Sequence, residues 1–247
     1  MKSLVNYRLE ESVMTITMDD GKVNVLSLNM LTEINGALDR ADADGAVVVL
    51  AGREGVFSAG FDLPVLRAGG LEAFKMLRAG FELAERVLSF PKPVVMACTG
   101  HAVAMGVFLL LSGDYRVGAT GPYKISANEV AIGLTMPRAA VEICRQRLTP
   151  AHFNRATVLA ESFSPEAAAE AGFLDRAVDG AALQSVVRDL SARLTQLPGP
   201  PASERFRASL SRHRKRLSRR LLLRLPGSIE GASANRKSAD PRAPHRV

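Results

Sequence analysis

The chain has 247 residues, 47% of them hydrophobic, with 32 Lys and Arg against 25 Asp and Glu for a formal charge of +7. That length supports one substantial core with an appendage, and no apolar run approaches the roughly eighteen residues that a membrane span requires. Two cysteines, Cys98 and Cys144, leave no disulfide framework and no spaced cysteine set for a metal.

The charge is unevenly spread. The last 47 residues hold 13 Lys or Arg against 3 Asp or Glu, a balance of +10, and the rest of the chain carries −3. Attraction to polyanions therefore belongs to the tail. The start lacks the basic, apolar and small-residue succession of a secretory signal, so the expected location is cytoplasmic. Both cysteines are expected to be buried and reduced.

In chain order, residues 7–10 and 13–18 read as a hairpin, and Asp19-Asp20-Gly21 supplies turn chemistry. Ser27 caps a helix whose apolar face is Leu28, Leu31, Ile34, Leu38 and Ala41, and 46–50 is an apolar strand, so the unit is a parallel crossover. Residues 52–63 form a glycine-bearing loop at the carboxyl end of that strand, where open α/β sheets place ligands. Ser58 lacks the glycine two positions earlier that a nucleophile elbow needs and reads as a turn residue. A helix over 71–88 follows, ended by Pro91-Lys92-Pro93.

Val94, Val95 and Met96 then fit a strand covered on both faces, and 107–111 a helix sunk in the core. Between them runs a loop of small residues that either lets a ligand approach the main chain, at a helix start whose first N–H groups have no helical partner, or simply permits tight strand-to-helix packing. Strands are expected near 114–117 and 123–126, and Glu129 in a loop between apolar pieces. Helices follow at Pro137, over 149–160, over 165–171 and over 183–197. The predicted organisation is a core over 1–197, a linker with a basic amphipathic helix over 198–225, and a disordered tail over 226–247.

Val56-Phe57-Ser58-Ala59-Gly60-Phe61-Asp62-Leu63, followed by Gly100-His101-Ala102-Val103-Ala104-Met105-Gly106, resembles the paired signature loops of the crotonase superfamily, the enoyl-CoA hydratase/isomerase family. The resemblance runs from about Ser3 to Leu197 and includes Asn128-Glu129-Val130-Ala131-Ile132-Gly133-Leu134. It implies an α/β fold, a spiral of ββα turns with two nearly perpendicular sheets and a C-terminal helical segment. It also implies an acyl-CoA thioester substrate and a homotrimer or hexamer. By motif position, the backbone N–H groups of Phe61 and Met105 are the oxyanion donors, and Glu129 is the acid/base. Ala59, Gly60, Asp62, Leu63, His101 and Gly106 fall in the substrate and coenzyme A loops, with His101 against the acyl chain and Asp62 as a loop-stabilising acceptor.

Two departures stand out. A typical hydratase of the family has a second glutamate where this chain has Phe108, so the resemblance favours 3-enoyl to 2-enoyl isomerisation, which one carboxylate can perform. The lysine that often meets coenzyme A phosphate is replaced by Pro64, leaving Arg67 as the candidate. No metal or separate cofactor is expected. The alternatives are a hydratase relying on Glu129 alone, a thioesterase, a silent acyl-CoA binder, or an RNA- or polyanion-binding protein acting through the basic tail. The tail itself reads as an altered reading frame or a lineage-specific extension from near Pro200.

Overall fold

The computed structural model describes residues 3–197. The linker, the basic helix and the tail expected beyond them lie outside the described residues.

The chain opens with the hairpin β1 (Val5–Glu10) and β2 (Val13–Met18), turned by Glu11 and Ser12 at φ 47° and 64°. Such paired left-handed residues match the twist of the strands they join. On β2, Met14, Ile16 and Met18 are buried while the residues between them are only partly so, the period of two expected of a sheet with one core face. Helix α1 (Leu28–Ala43) follows, its N-terminus capped by Ser27 Oγ accepting the Met30 N–H at 3.3 Å. It buries Met30, Leu31, Ile34, Ala37, Leu38 and Ala41 against the hairpin and β3 (Val47–Ala51).

From β3 onward one unit repeats. A strand of a large sheet is followed by a short strand of a second sheet and then by helix. The first repeat is β3, β4 (Gly55–Ser58), α2 (Leu63–Ala68) and α3 (Gly70–Leu88). The second is β5 (Val94–Cys98), β6 (Gly100–Val103) and α4 (Met105–Leu111), and the third β7 (Tyr115–Ala119), β8 (Ile125–Ser126), one turn of 3-10 helix over Val130–Ile132, and α5 (Arg138–Arg147). Helices α6 (Pro150–Thr157) and α7 (Pro165–Ala171), strand β9 (Arg176–Val178) and helix α8 (Leu183–Thr195) complete the described chain. The large sheet has the order β1-β2-β3-β5-β7-β9, parallel except for the hairpin, and the small one β4-β6-β8.

All five residues of β5 are buried because the large sheet is covered on both faces. One face meets the main core with Phe57, Phe108 and α1, and the other packs Val49, Val95 and Val117 against Leu183 and Val187 of α8. Each fully buried aliphatic side chain there contributes roughly 1.5–3 kcal/mol.

The structure corrects several sequence readings. The loop expected over 52–63 contains β4 and the start of α2, so Ser58 ends a strand rather than sitting in a turn. The small-residue loop between β5 and the next helix contains β6, and α4 begins at Met105 instead of 107. The cause is the same in both places. Short strands among glycines have too few side chains to show a period, and their partners lie some forty residues away.

Candidate active site

The end of β4 is tied down by polar groups from the segment after β2. Asn24 is fully buried at φ 52°, its Nδ2 donating to the carbonyls of Met18 at 3.0 Å and Phe57 at 3.1 Å. Ser58 Oγ donates to the Asn24 carbonyl at 2.7 Å and accepts the Gly60 N–H at 3.1 Å. The Gly60 carbonyl accepts from the Leu26 N–H at 2.8 Å, and the Ala59 N–H donates to Val23 at 2.9 Å. The Phe61 N–H has no acceptor among the described residues. Asp62 caps α2 by accepting the Val65 N–H at 3.2 Å, and Leu63 opens that helix with its side chain exposed. Arg67 sits exposed in the last turn of α2.

The second turn joins β6 to α4 through Ala104, which stands at φ 51°, ψ −129°. An L-residue in such a conformation costs on the order of 1–3 kcal/mol, and strain of that kind gathers at functional sites. The Ala104 carbonyl accepts the N–H groups of Val107 and Phe108 at 2.9 and 3.3 Å. The Met105 N–H shares a planar trans peptide with that carbonyl and therefore points the opposite way, out of the helix start, with no acceptor among the described residues.

The two turns touch through main chain. A Cβ added at Gly60 would lie 2.9 Å from Ala104 Cβ and 3.1 Å from Met105 N, and one at Gly106 would lie 2.5 Å from the Ser58 carbonyl oxygen. Gly60 also stands at φ 85°, where a side chain would be strained. Only glycines allow these backbones to approach so closely.

The third component arrives from β8. The Ala104 N–H donates to the Ser126 carbonyl at 3.0 Å, three residues before Glu129. Glu129 is 7% exposed, the one buried carboxylate among the described residues. Burial pushes its pKa up to about 7, partly offset by a hydrogen bond from its own backbone N–H. Its Oε2 and the neighbouring Asn128 Oδ1 are buried without a hydrogen-bond partner among the described residues. Such buried atoms are costly to leave bare. Cys144 of α5 packs nearby, its thiol pushed up to about 12 by burial and then by the Glu129 charge. Cys98, also at about 12 through burial, is equally unsuited to act as a nucleophile.

The burial of Glu129 does not come from its sequence neighbours, as the apolar run after it suggested. Val130 and Ile132 are 43% and 46% exposed. Glu129 stands at the start of the 3-10 turn, its carbonyl accepting the N–H groups of Ile132 at 3.1 Å and Leu134 at 2.9 Å.

Phe108 is 1% exposed, one turn beyond Met105 on α4. Its ring stacks on Phe81 with centroids 6.3 Å apart, and Phe81 meets Phe61 edge-on at 6.4 Å. Phe61, Phe81 and Phe108 thus form an aromatic cluster. His101, half-buried on β6, accepts the Lys124 N–H on Nδ1 at 3.0 Å and packs edge-on against Tyr123. Sequence reasoning missed Asn24, whose left-handed backbone tolerance and position just after an Asp-Asp-Gly turn were the available signals.

Comparison with known proteins adds the lineage. The model of the enoyl-CoA hydratase/isomerase family matches residues 8–221, most of the chain. The chain belongs to that family. The match continues past Leu197, where the resemblance in the sequence had been expected to stop.

Among members of the enoyl-CoA hydratase/isomerase family, a Mycobacterium tuberculosis protein is 44% identical. One structure describes it as an enoyl-CoA isomerase (TM-score 0.81, covering 90% of this chain and 96% of that one). Another describes it as the probable enoyl-CoA hydratase EchA3 (TM-score 0.85, covering 88% and 93%). The human mitochondrial delta3-delta2-enoyl-CoA isomerase is 26% identical, with a TM-score of 0.82 over 89% of each chain. The probable enoyl-CoA hydratase EchA17 of Mycobacterium avium is 37% identical over 115 residues, 45% of this chain and 44% of that protein, so the matched stretch spans less than half of that relative. The crotonase-type α/β architecture expected from the paired loops is the one these relatives share. Among the described residues there is no helix long and apolar enough to cross a membrane, and no group of three or more His, Cys, Asp or Glu able to hold a metal.

Proposed function

We propose that this protein acts on an unsaturated acyl-CoA thioester and moves its double bond from the 3 to the 2 position. Glu129 takes a proton from C2 of the 3-enoyl thioester and the electron pair shifts toward the carbonyl, giving a dienolate. The N–H groups of Phe61 and Met105 receive the oxygen's developing charge. Glu129 then returns the proton at C4, leaving the 2-enoyl product. A pKa of about 7 suits a group that must first accept and then release a proton near neutrality. A preorganised donor of this kind is typically worth roughly a hundredfold in rate.

The observation that carries the preference for isomerisation is Phe108. Hydration requires a water to be held and activated while a proton is delivered to C2, and at position 108, where the resemblance puts a second glutamate, this chain has a phenylalanine packed on Phe81. Hydration by Glu129 alone is the second reading, favoured by the buried, unpartnered Asn128 Oδ1 beside it, which can accept a hydrogen bond from a water. Coenzyme A enters this reading as part of the substrate, held by Ala59, Gly60, Asp62, Leu63 and Gly106, with His101 toward the acyl chain. A homotrimer or hexamer in the cytoplasm completes the proposal, and the exposed Val158 and Leu159 support a face covered by a neighbouring copy.

Supplying 3-enoyl-CoA and 2-enoyl-CoA separately to the wild type and to Glu129→Gln tests the proposal. Isomerisation of the first in the wild type, lost in the variant, is the expected result. Hydration as the dominant activity would transfer the proposal to the second reading, and tight binding without turnover of either would remove both.

A further inference from the structure

The Phe61 N–H and the Gly60 carbonyl belong to one peptide unit. That unit is planar and trans, so its N–H points away from whatever its carbonyl faces. The carbonyl faces the Leu26 N–H, 2.8 Å away. The aim of the Phe61 donor is therefore set from the segment after β2.

We propose that Asn24 and Ser58 are positioning residues for the Phe61 amide, a role that rests on the oxyanion reading above. Gly60 is held at both ends, its N–H by Ser58 Oγ at 3.1 Å and its carbonyl by Leu26. Ser58 Oγ is in turn fixed by donating to the Asn24 carbonyl at 2.7 Å. The Asn24 side chain spans from β2 to β4, donating to Met18 and Phe57, while its Oδ1 accepts the Asp20 N–H at 3.1 Å. The Asp20 carboxylate receives the N–H groups of Lys22, Asn24 and Val25 at 2.7, 2.9 and 2.9 Å, which locks the stretch that carries Leu26. Asn24 and Ser58 are both 0% exposed. A buried polar network with every member satisfied holds one geometry, and this one ends on the peptide that carries the donor.

A network that served packing alone would affect stability without touching the chemistry, and Ser58→Ala separates the two. It removes the hydroxyl that holds Gly60 N–H while leaving Phe61 and Glu129 in place. The expected result is a fall in kcat of roughly tenfold or more with KM changed less than about twofold. The carbonyl stretch of a bound, isotope-labelled 2-enoyl-CoA is also expected to move less toward low frequency than in the wild type. A wild-type kcat and a wild-type stretch, with only the Tm lowered, would overturn the inference. If the wild type itself produces no shift of the stretch, the oxyanion reading beneath it fails instead. Should Ser58→Ala not fold, Ser58→Cys, which keeps a weak donor and acceptor, carries the same measurement. Intermediate kcat and stretch support the role, and wild-type values of both overturn it.

Discussion

Gly106 and Ser58 stand so close that a Cβ at Gly106 would lie 2.5 Å from the Ser58 carbonyl oxygen and 2.8 Å from Ser58 Cβ. This contact brings the start of α4 against the end of β4, and hence the turn bearing Met105 against the turn bearing Phe61. Gly106→Ala must push the two turns apart. The expected cost is about 1–3 kcal/mol in urea unfolding, with kcat falling more than affinity for coenzyme A. Wild-type values for both stability and kcat would contradict the contact.

The pH dependence of activity follows from Glu129. As the proposed base in isomerisation it must be ionised, and burial pushes its pKa up to about 7. Activity at subsaturating 3-enoyl-CoA is therefore expected to rise through neutrality and level off in mild alkali. A profile flat from about pH 5 to about pH 8 would exclude Glu129 as the group that starts the reaction.

The same carboxyl affects stability with a defined sign. Its folded pKa of about 7 lies above the ordinary 4.5, so the folded chain binds more protons than the unfolded one between those values. Its contribution is complete below the unfolded pKa and is lost as pH rises through about 7. Glu129→Gln keeps the position neutral. The variant should match the wild type in mild acid and exceed it by roughly 3 kcal/mol in mild alkali, a gap that thermal melts across pH would reveal. A constant difference at every pH would place the cause elsewhere.

Phe108→Glu tests whether restoring a second carboxylate restores hydration. The new side chain would enter the cluster formed by Phe81 and Phe61, where an ionised group has no partner. The expected outcome is a loss of about 3 kcal/mol or more and no gain in the ratio of hydration to isomerisation. A stable, efficient hydratase would show that the cluster leaves room for an activated water.

Arg116 and Asp175 provide a structural control. The guanidinium, 5% exposed, makes two bonds to the carboxylate at 2.8 and 2.7 Å, and Asp175 also accepts the Arg116 N–H at 2.8 Å. Asp175→Ala removes the direct ion-pair partner of a buried cation and should cost about 2–3 kcal/mol while leaving kcat within about twofold. A large loss of kcat at full stability would place this pair in the catalytic machinery.

Local signals in the sequence located many elements. Ser27 marked the start of α1, Pro165 and Gly172 bracketed α7, and the period of two in 13–18 exposed β2, because caps, breakers and alternation act within a few residues. The strands β4 and β6 were read as loops. Their four residues each are stabilised by one another and by β8, through pairings such as Val56 with His101 and Ala102 with Ile125, which no local window contains.

The sequence by itself determined the kind of fold and the chemical types at the site: glycines where backbones must meet, a lone glutamate after the third pair of strands, and phenylalanine at position 108. Tertiary structure decided what those residues experience. Glu129 is buried although Val130 and Ile132 lie in solvent, and Asn24, more than thirty residues upstream, ties down the end of β4. Burial and hydrogen-bond direction are properties of groups brought together from distant parts of the chain, and they exist only once the chain has folded.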